Sequence, residues 1–269
     1  MDIITLASGA GLWDWAWREA GANIVLQCEI EEVQLAILRD AFPEAIHDED
    51  IFTLTREKME NEYGIKNLSD CTFVGGLCCQ PFSNDGPQLG REKSTWMCDE
   101  IIRLTRDCRP RFVVVENVSG FIKHPDGLEY IIEGLERIGY TGQSLSIPAK
   151  AFGAPHERQR IFAVFTRDDY PRILSREALE DPTKIGQLVR KIKNSTCIRK
   201  PVPGFYNKRF VAQPGIQIVV DGDTLGLSKS DKKAYFEKSL EIYGNGVEYE
   251  SGFFIATTVK AIHDFYYEN

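Results

Sequence analysis

Two adjacent thiols, Cys78 and Cys79, follow the apolar run Thr72-Phe73-Val74-Gly75-Gly76-Leu77 and precede Gln80-Pro81-Phe82-Ser83-Asn84-Asp85-Gly86. A β-forming segment that breaks at two glycines and turns before a proline presents its last side chains at a strand end, where a thiol can approach a substrate. Nucleophilic attack is the chemistry such a thiol performs once its surroundings favour the thiolate. Taken alone, the pair also fits two small buried hydrophobes, the ordinary condition of free cysteine. Glu116 ends a second apolar run, Phe112 to Val115, and a carboxylate at the C-terminal end of a central parallel strand stands in the crevice where such sheets bind ligands. Arg158 and Arg160, spaced by one, project to the same side of an extended segment that enters the run Ile161 to Phe165. Surface salt bridging is the plainer account of that pair.

These groups need a scaffold to bring them together, and the chain alternates strand and helix from its start. Residues 2–6 predict a buried strand, Ala7-Ser8-Gly9-Ala10-Gly11 a tight turn, and the next segment a helix to Ala20-Gly21. A second strand, Asn23 to Cys28, ends at Glu29, about twenty residues after the glycines, where an acid can accept ribose hydroxyls. A helix from Glu31 to Ala41 leads to a third strand near Ala45-Ile46-His47 and the acidic Asp48-Glu49-Asp50-Ile51. Asp50 there either bonds an adenine amino group or caps a polar loop. After the cysteine strand come a loop, a helix through Met97, Ile101, Ile102 and Leu104, the Phe112 strand, a helix from Leu128 to Ile138, and strands around Tyr140–Ile147 and Ile161–Phe165. The alternation stops near Thr166. A helix from about Phe253 to Tyr266 closes the chain. The expected class is α/β, a doubly wound Rossmann-like sheet, divided as residues 1–168, a small domain 169–228, and C-terminal helices 229–269 that pack back on the first part.

Composition adds an asymmetry. The net charge is −8, yet Pro182 to Val220 holds no Asp or Glu and carries Lys184, Arg190, Lys191, Lys193, Arg199, Lys200, Lys208 and Arg209, a local +8 that leaves −16 on the remainder. Basic faces ordinarily carry interspersed acids, and their absence favours phosphate contact. The seven cysteines include no Cys-x-x-Cys pair, so disulfides and a structural metal site are not expected. No apolar run is long enough to cross a bilayer and Met1-Asp2-Ile3-Ile4 lacks the basic start of a secretory signal, so a cytoplasmic protein with no membrane partner is expected.

Taken in order, these pieces resemble the DNA cytosine-5 methyltransferases. Ala7-Ser8-Gly9-Ala10-Gly11 is similar to the family's Phe-x-Gly-x-Gly cofactor turn, and Gly75-Gly76-Leu77-Cys78-Cys79-Gln80-Pro81-Phe82-Ser83 to its Pro-Cys-Gln-x-Phe-Ser nucleophile motif. Glu116-Asn117-Val118 matches Glu-Asn-Val, Gly153-Ala154-Pro155-His156-Glu157-Arg158-Gln159-Arg160 resembles Gly-Val-Pro-Gln-x-Arg-x-Arg, and Gly244-Asn245-Gly246-Val247 resembles the closing Gly-Asn-x-Val. The resemblance implies a S-adenosylmethionine-dependent methyltransferase sheet with a small, basic target-recognition domain. It implies Cys79, Glu116, Arg158 and Arg160 as catalytic residues. It implies a cofactor site of Ala7, Ser8, Gly9, Ala10, Gly11, Leu12, Glu29, Ile30, Asp50, Ile51, Gly76, Asn245 and Val247. DNA contacts are expected from Gln80, Ser83 and the eight basic residues between Lys184 and Arg209.

The implied reaction is methyl transfer to C5 of a cytosine flipped out of double-stranded DNA, in a restriction–modification or phage setting, by a monomer with a cognate restriction endonuclease as candidate partner. Attack of the Cys79 thiolate on carbon 6 activates carbon 5, Glu116 with a raised pKa neutralises ring N3, and Arg160 donates to the cytosine O2. The same chemistry on RNA and a catalytically silent DNA-binding homologue are the alternatives. Departures from the pattern are Ala7 for the aromatic residue, with Ile30 or Trp13 as substitutes, Cys78 for the proline, and His156 for the glutamine.

Overall fold

The computed structural model describes residues 1–77, 96–148, 159–169 and 249–267, with side chains of the last segment described for residues 251–264. Its centre is a sheet of seven strands among the described residues: β1 (Asp2–Leu6), β2 (Asn23–Cys28), β3 (Ile46–Asp48), β4 (Thr72–Gly76), β5 (Phe112–Val118), β6 (Tyr140–Pro148) and β7 (Gln159–Arg167). The order is β3-β2-β1-β4-β5-β7-β6. Strands β1 to β5 pair in parallel, whereas β7 runs antiparallel between β5 and β6. The doubly wound α/β class expected from the sequence is the one observed; the direction of β7 is added by the structure.

Alternation along the strands sorts the core into two layers. Ile4, Leu6, Phe73, Val113, Val115, Ile161 and Phe165 face a cluster that includes Ile101 and Leu104 of α3 (Cys98–Cys108) and Ile131 and Leu135 of α5 (Leu128–Glu136). Ile3, Val74, Phe112, Val114 and Phe162 face the other way. They meet Trp13 and Trp17 of α1 (Leu12–Glu19), Leu38 of α2 (Glu32–Ala41), and Ile255, Val259 and Ile262 of the C-terminal helix α6 (Tyr249–Tyr267). A one-turn helix, α4 (Gly120–Lys123), follows β5. At the opposite end of the sheet from the strand C-termini, Arg111 donates to Asp70 Oδ1 at 2.7 Å and to His263 Nε2 at 3.0 Å, which fastens α6 to the start of β5.

One buried acid shows how the first turn is built. Asp14, in the first turn of α1, accepts at Oδ1 from Thr5 Oγ1 and from Gln27 Nε2, both at 2.7 Å, and Thr5 Oγ1 lies 2.8 Å from Ser8 Oγ. Asp14 Oδ2 is buried with no hydrogen-bond partner among the described residues. Burial, only partly offset by those two neutral donors, pushes the carboxyl up to about 6. A carboxyl raised in the folded state binds its proton more tightly there, so its contribution is present below pH 3.8 and lost as pH rises through about 6. At about 1.4 kcal/mol per pH unit that loss is of order 3 kcal/mol. Urea unfolding at pH 4 and pH 7.5 is expected to show the stability of Asp14→Asn minus wild type rising by about that amount; a difference constant with pH would contradict it.

Candidate active site

Four strand ends line up because of register. Leu6 of β1 is opposite Gly75 of β4, Gly76 is opposite Glu116 of β5, and Glu116 is opposite Phe162 of β7. The pair β1/β4 is where the strand order reverses, the position at which open α/β sheets bind ligands beyond their carboxyl ends.

On the β1 side, the turn from Ala7 to Gly11 is left-handed at Ala7 (φ 57), Gly9 (φ 59) and Gly11 (φ 80). Gly11 could carry no side chain, since a Cβ would stand 2.8 Å from Leu38 Cδ2 and 3.0 Å from Phe42 Cε2. The turn is pinned by Ser8 N donating to Cys28 O at 3.0 Å and by Gly9 N donating to Glu29 Oε2 at 2.7 Å. Glu29 Oε1 accepts from Glu31 N at 2.9 Å, so this carboxylate, 6% exposed, buttresses the turn and the entry to α2. Burial raises Glu29 above the ordinary carboxyl range, with the backbone bonds working against it. The next residue, Ile30, is 68% exposed. Leu12 is the first residue of α1, half-buried, and Ala10 is buried. Gly76 comes close to this turn, since a Cβ on it would lie 3.4 Å from Ala7 O.

Past β3, Asp50 Oδ1 accepts from Phe52 N at 2.9 Å and Ile51 is buried in the core below. Asp50 therefore does cap its loop with one oxygen. Trp13 does not stand over the glycine turn; it is buried edge-on against Phe162 at 5.7 Å, in the core layer shared with α6.

On the β5 side, Glu116 and Arg160 sit diagonally across the antiparallel pair, on the face of Val114 and Phe162, because Val118 rather than Glu116 is opposite Arg160. Arg160 Nε lies 2.8 Å from Glu116 Oε1, and the two residues are 9% and 5% exposed. Asn117, on the other face, donates from Nδ2 to Leu77 O at 3.4 Å and accepts from Val118 N at 2.8 Å. It thereby ties β5 to the last described residue before the two cysteines. Asn117 stands inside the Glu116-Asn117-Val118 motif, but nothing in the local sequence signals this bond. Cys78, Cys79, Gln80, Ser83, Arg158, Asn245, Val247 and the basic residues from Lys184 to Arg209 lie outside the described residues, as does the division of the chain at 169–228.

A glycine turn at a switch point, an acid just past β2 and a buried carboxylate–guanidinium pair stand together at the end of an open α/β sheet where ligands bind. The profile of the C-5 cytosine-specific DNA methylase family matches residues 1–213, and the chain belongs to that family. It is 30% identical over 175 residues to the Type II methyltransferase M1.HphI of Haemophilus parahaemolyticus, covering 62% of this chain and 46% of that one. It is 28% identical over 191 residues to M.NgoMIV of Neisseria gonorrhoeae, covering 69% and 59%. The chain spans about half the length of the curated relatives it matches. Among solved structures, a Spodoptera frugiperda DNMT2 mutant shares the fold at TM-score 0.52 with 23% identity, over 65% of this chain and 52% of that one. The S. pombe Dnmt2 methyltransferase does so at TM-score 0.52 with 16% identity, over 100% and 98%.

The buried pair gives a stability test independent of turnover. Arg160→Met leaves Glu116 without this cation and is expected to cost about 3 kcal/mol. Adding Glu116→Gln should restore part of that in a double-mutant cycle read by urea unfolding; strictly additive effects would mean that the two side chains do not interact.

Proposed function

We propose that this chain transfers a methyl group from S-adenosylmethionine to carbon 5 of a cytosine turned out of double-stranded DNA, with Cys79 forming a transient bond to carbon 6. The observation that carries this reading is the register that puts the buried Glu116–Arg160 pair directly beside the strand leading to Cys79. The same strand borders the turn that would hold the cofactor.

The described residues fit that cofactor. The backbone turns left-handed at Ala7, Gly9 and Gly11, and among the described residues a Cβ on Gly9 would meet Gln34 Oε1 at 3.8 Å without a clash, so a ligand can approach the backbone there. Glu29 accepts from Gly9 N at Oε2 and from Glu31 N at Oε1, and the acceptor capacity of a carboxylate, about four lone pairs, leaves room for a ribose hydroxyl. Ile30 offers exposed apolar surface for an adenine face, and Asp50 an oxygen for its amino group. Ser8, Ala10, Leu12, Ile51, Gly76, Asn245 and Val247 complete the proposed lining. When bound, S-adenosylmethionine supplies a methyl group activated on a sulfonium.

Carbon 5 of cytosine is a weak nucleophile until the ring loses its conjugation. The Cys79 sulfur bonds to carbon 6, and the electron pair displaced from the 5,6 bond gives carbon 5 enamine character. Glu116 neutralises the density that would otherwise build at N3, through a proton it shares with the ring, and Arg160 with Arg158 bonds O2. After methylation, loss of the carbon 5 proton re-forms the double bond and expels the Cys79 thiolate. Turning the base out costs a few kcal/mol, which phosphate contacts from Lys184, Arg190, Lys191, Lys193, Arg199, Lys200, Lys208 and Arg209, with Gln80 and Ser83 near the base, would offset. We assign those basic residues to a recognition domain at 169–228, between a catalytic part at 1–168 and C-terminal helices at 229–269. A cognate endonuclease is the proposed partner, and a cytoplasmic monomer the proposed state.

Duplex DNA bearing 5-fluorocytosine is expected to trap wild type covalently, because the fluorine cannot leave as the proton does. Cys79→Ser should form no adduct, Cys78→Ala should keep most of the activity, and Glu116→Gln should lower kcat about 10²-fold or more. Binding of DNA and cofactor without an adduct would overturn the proposal, and labelled methyl entering transfer RNA but not duplex DNA would move the substrate to RNA.

A further inference from the structure

Asp48, the last residue of β3, is 3% exposed and is used by none of the steps above. Three groups converge on its side chain. Lys58 Nζ lies 2.7 Å from Oδ2, Tyr63 OH donates to the same oxygen at 2.7 Å, and Asp50 N donates to Oδ1 at 3.1 Å. Its backbone carbonyl accepts from Glu29 N at 3.0 Å. Asp48 thus bonds both residues proposed to meet the nucleoside, Glu29 and Asp50.

Lys58 and Tyr63 reach it together because the chain forms a π-helical turn at Lys58–Glu62, closed by Tyr63 N donating to Lys58 O at 3.1 Å. Bonds from i to i+5 bring positions five apart onto one side, and such turns recur at functional sites. Lys58 Nζ accordingly stands 5.5 Å from the Tyr63 ring centroid. Burial opposes the Asp48 carboxylate, but the bonds from Lys58 and Tyr63 outweigh it and hold the group below the usual range, so it stays ionised as an acceptor. Fixing Asp50 N in turn fixes the loop in which Asp50 Oδ1 accepts from Phe52 N at 2.9 Å.

We infer that Asp48, Lys58 and Tyr63 are positioning residues that aim Asp50 at the exocyclic amino group of an adenine, so that the pocket distinguishes an adenine nucleoside from a 6-oxopurine one. This rests on the cofactor reading above. A carboxylate fixed to accept from an amino group is left facing an acceptor when the base carries oxygen instead, which a mobile carboxylate would avoid by swinging away.

The test is calorimetric binding of S-adenosylhomocysteine and S-inosylhomocysteine to the full chain. Wild type is expected to prefer the adenine ligand by about tenfold or more. Lys58→Met and Tyr63→Phe should reduce that preference to within about twofold, mainly by weakening the adenine ligand, and Lys58→Arg should keep it. Tyr63→Phe removes one hydroxyl and carries the test if Lys58→Met does not fold. Variants that weaken both ligands equally, with the preference intact, would show a merely structural brace and overturn this inference while leaving the cofactor assignment standing. Equal binding of both ligands by wild type would overturn it in the same limited way. Binding of neither would overturn both.

Discussion

The insertion of β7 antiparallel beside β5 is the constraint on which the rest of the site depends. A parallel neighbour would bring its N-terminal end to the opposite edge of the sheet, and Arg160, the second residue of β7, would then lie far from Glu116. Running antiparallel, β7 delivers its beginning to the carboxyl end of β5, where a diagonal cross-strand contact closes the ion pair. The strand that makes this possible is held by apolar packing on both faces, with Ile161, Phe162, Ala163 and Phe165 all nearly inaccessible. Separating β5 from β7 would therefore uncover core from both layers, which keeps the pair in register.

The acids along that edge show how compensation, more than burial itself, sets their behaviour. Asp14 is answered by neutral donors, chiefly an amide and a hydroxyl, and burial pushes it up to about 6. Glu29 has two backbone N–H donors and is still raised. Asp48 has a lysine and a tyrosine on one oxygen and falls below the usual range. Three carboxylates of one fold region thus pass from disfavoured to favoured ionisation as their donors change from neutral groups to a cation.

The turn after β1 is a separate balance. Ala7 holds a left-handed conformation that costs a residue with a Cβ roughly 1 kcal/mol. Bonds at both ends of the turn, Ser8 N to Cys28 O and Gly11 N to Ser8 O at 3.1 Å, leave it no cheaper alternative. Trp13 is committed to the core against Phe162, whereas Ile30, immediately after Glu29, is exposed. Apolar surface for a planar ligand is thus offered at the end of β2.

Much of the fold was legible because buried strands and amphipathic helices write their periods into the chain. The strands Asp2–Leu6 and Asn23–Cys28 and the helix Glu32–Ala41 fall within a residue of the spans expected for them. The direction of β7 was not, since an apolar run such as Ile161 to Phe165 reads the same both ways and only its neighbours decide its sense. Glu116 and Arg160 are each charged residues bordering apolar strands, but their contact depends on a register between segments more than forty residues apart, which no local pattern encodes. Asp48 was harder still. Lys58 and Tyr63 are five apart, a spacing that belongs neither to an α-helical face nor to a strand face, and it becomes meaningful only through a π-helical turn. Its neighbour Asp50 has a type and place that suit a ligand's amino group, whereas the carboxylate that bonds Asp50 N answers to the protein alone. Residues that touch a ligand are constrained by chemistry that can be anticipated from their type, and residues that orient them are constrained by packing that has to be seen.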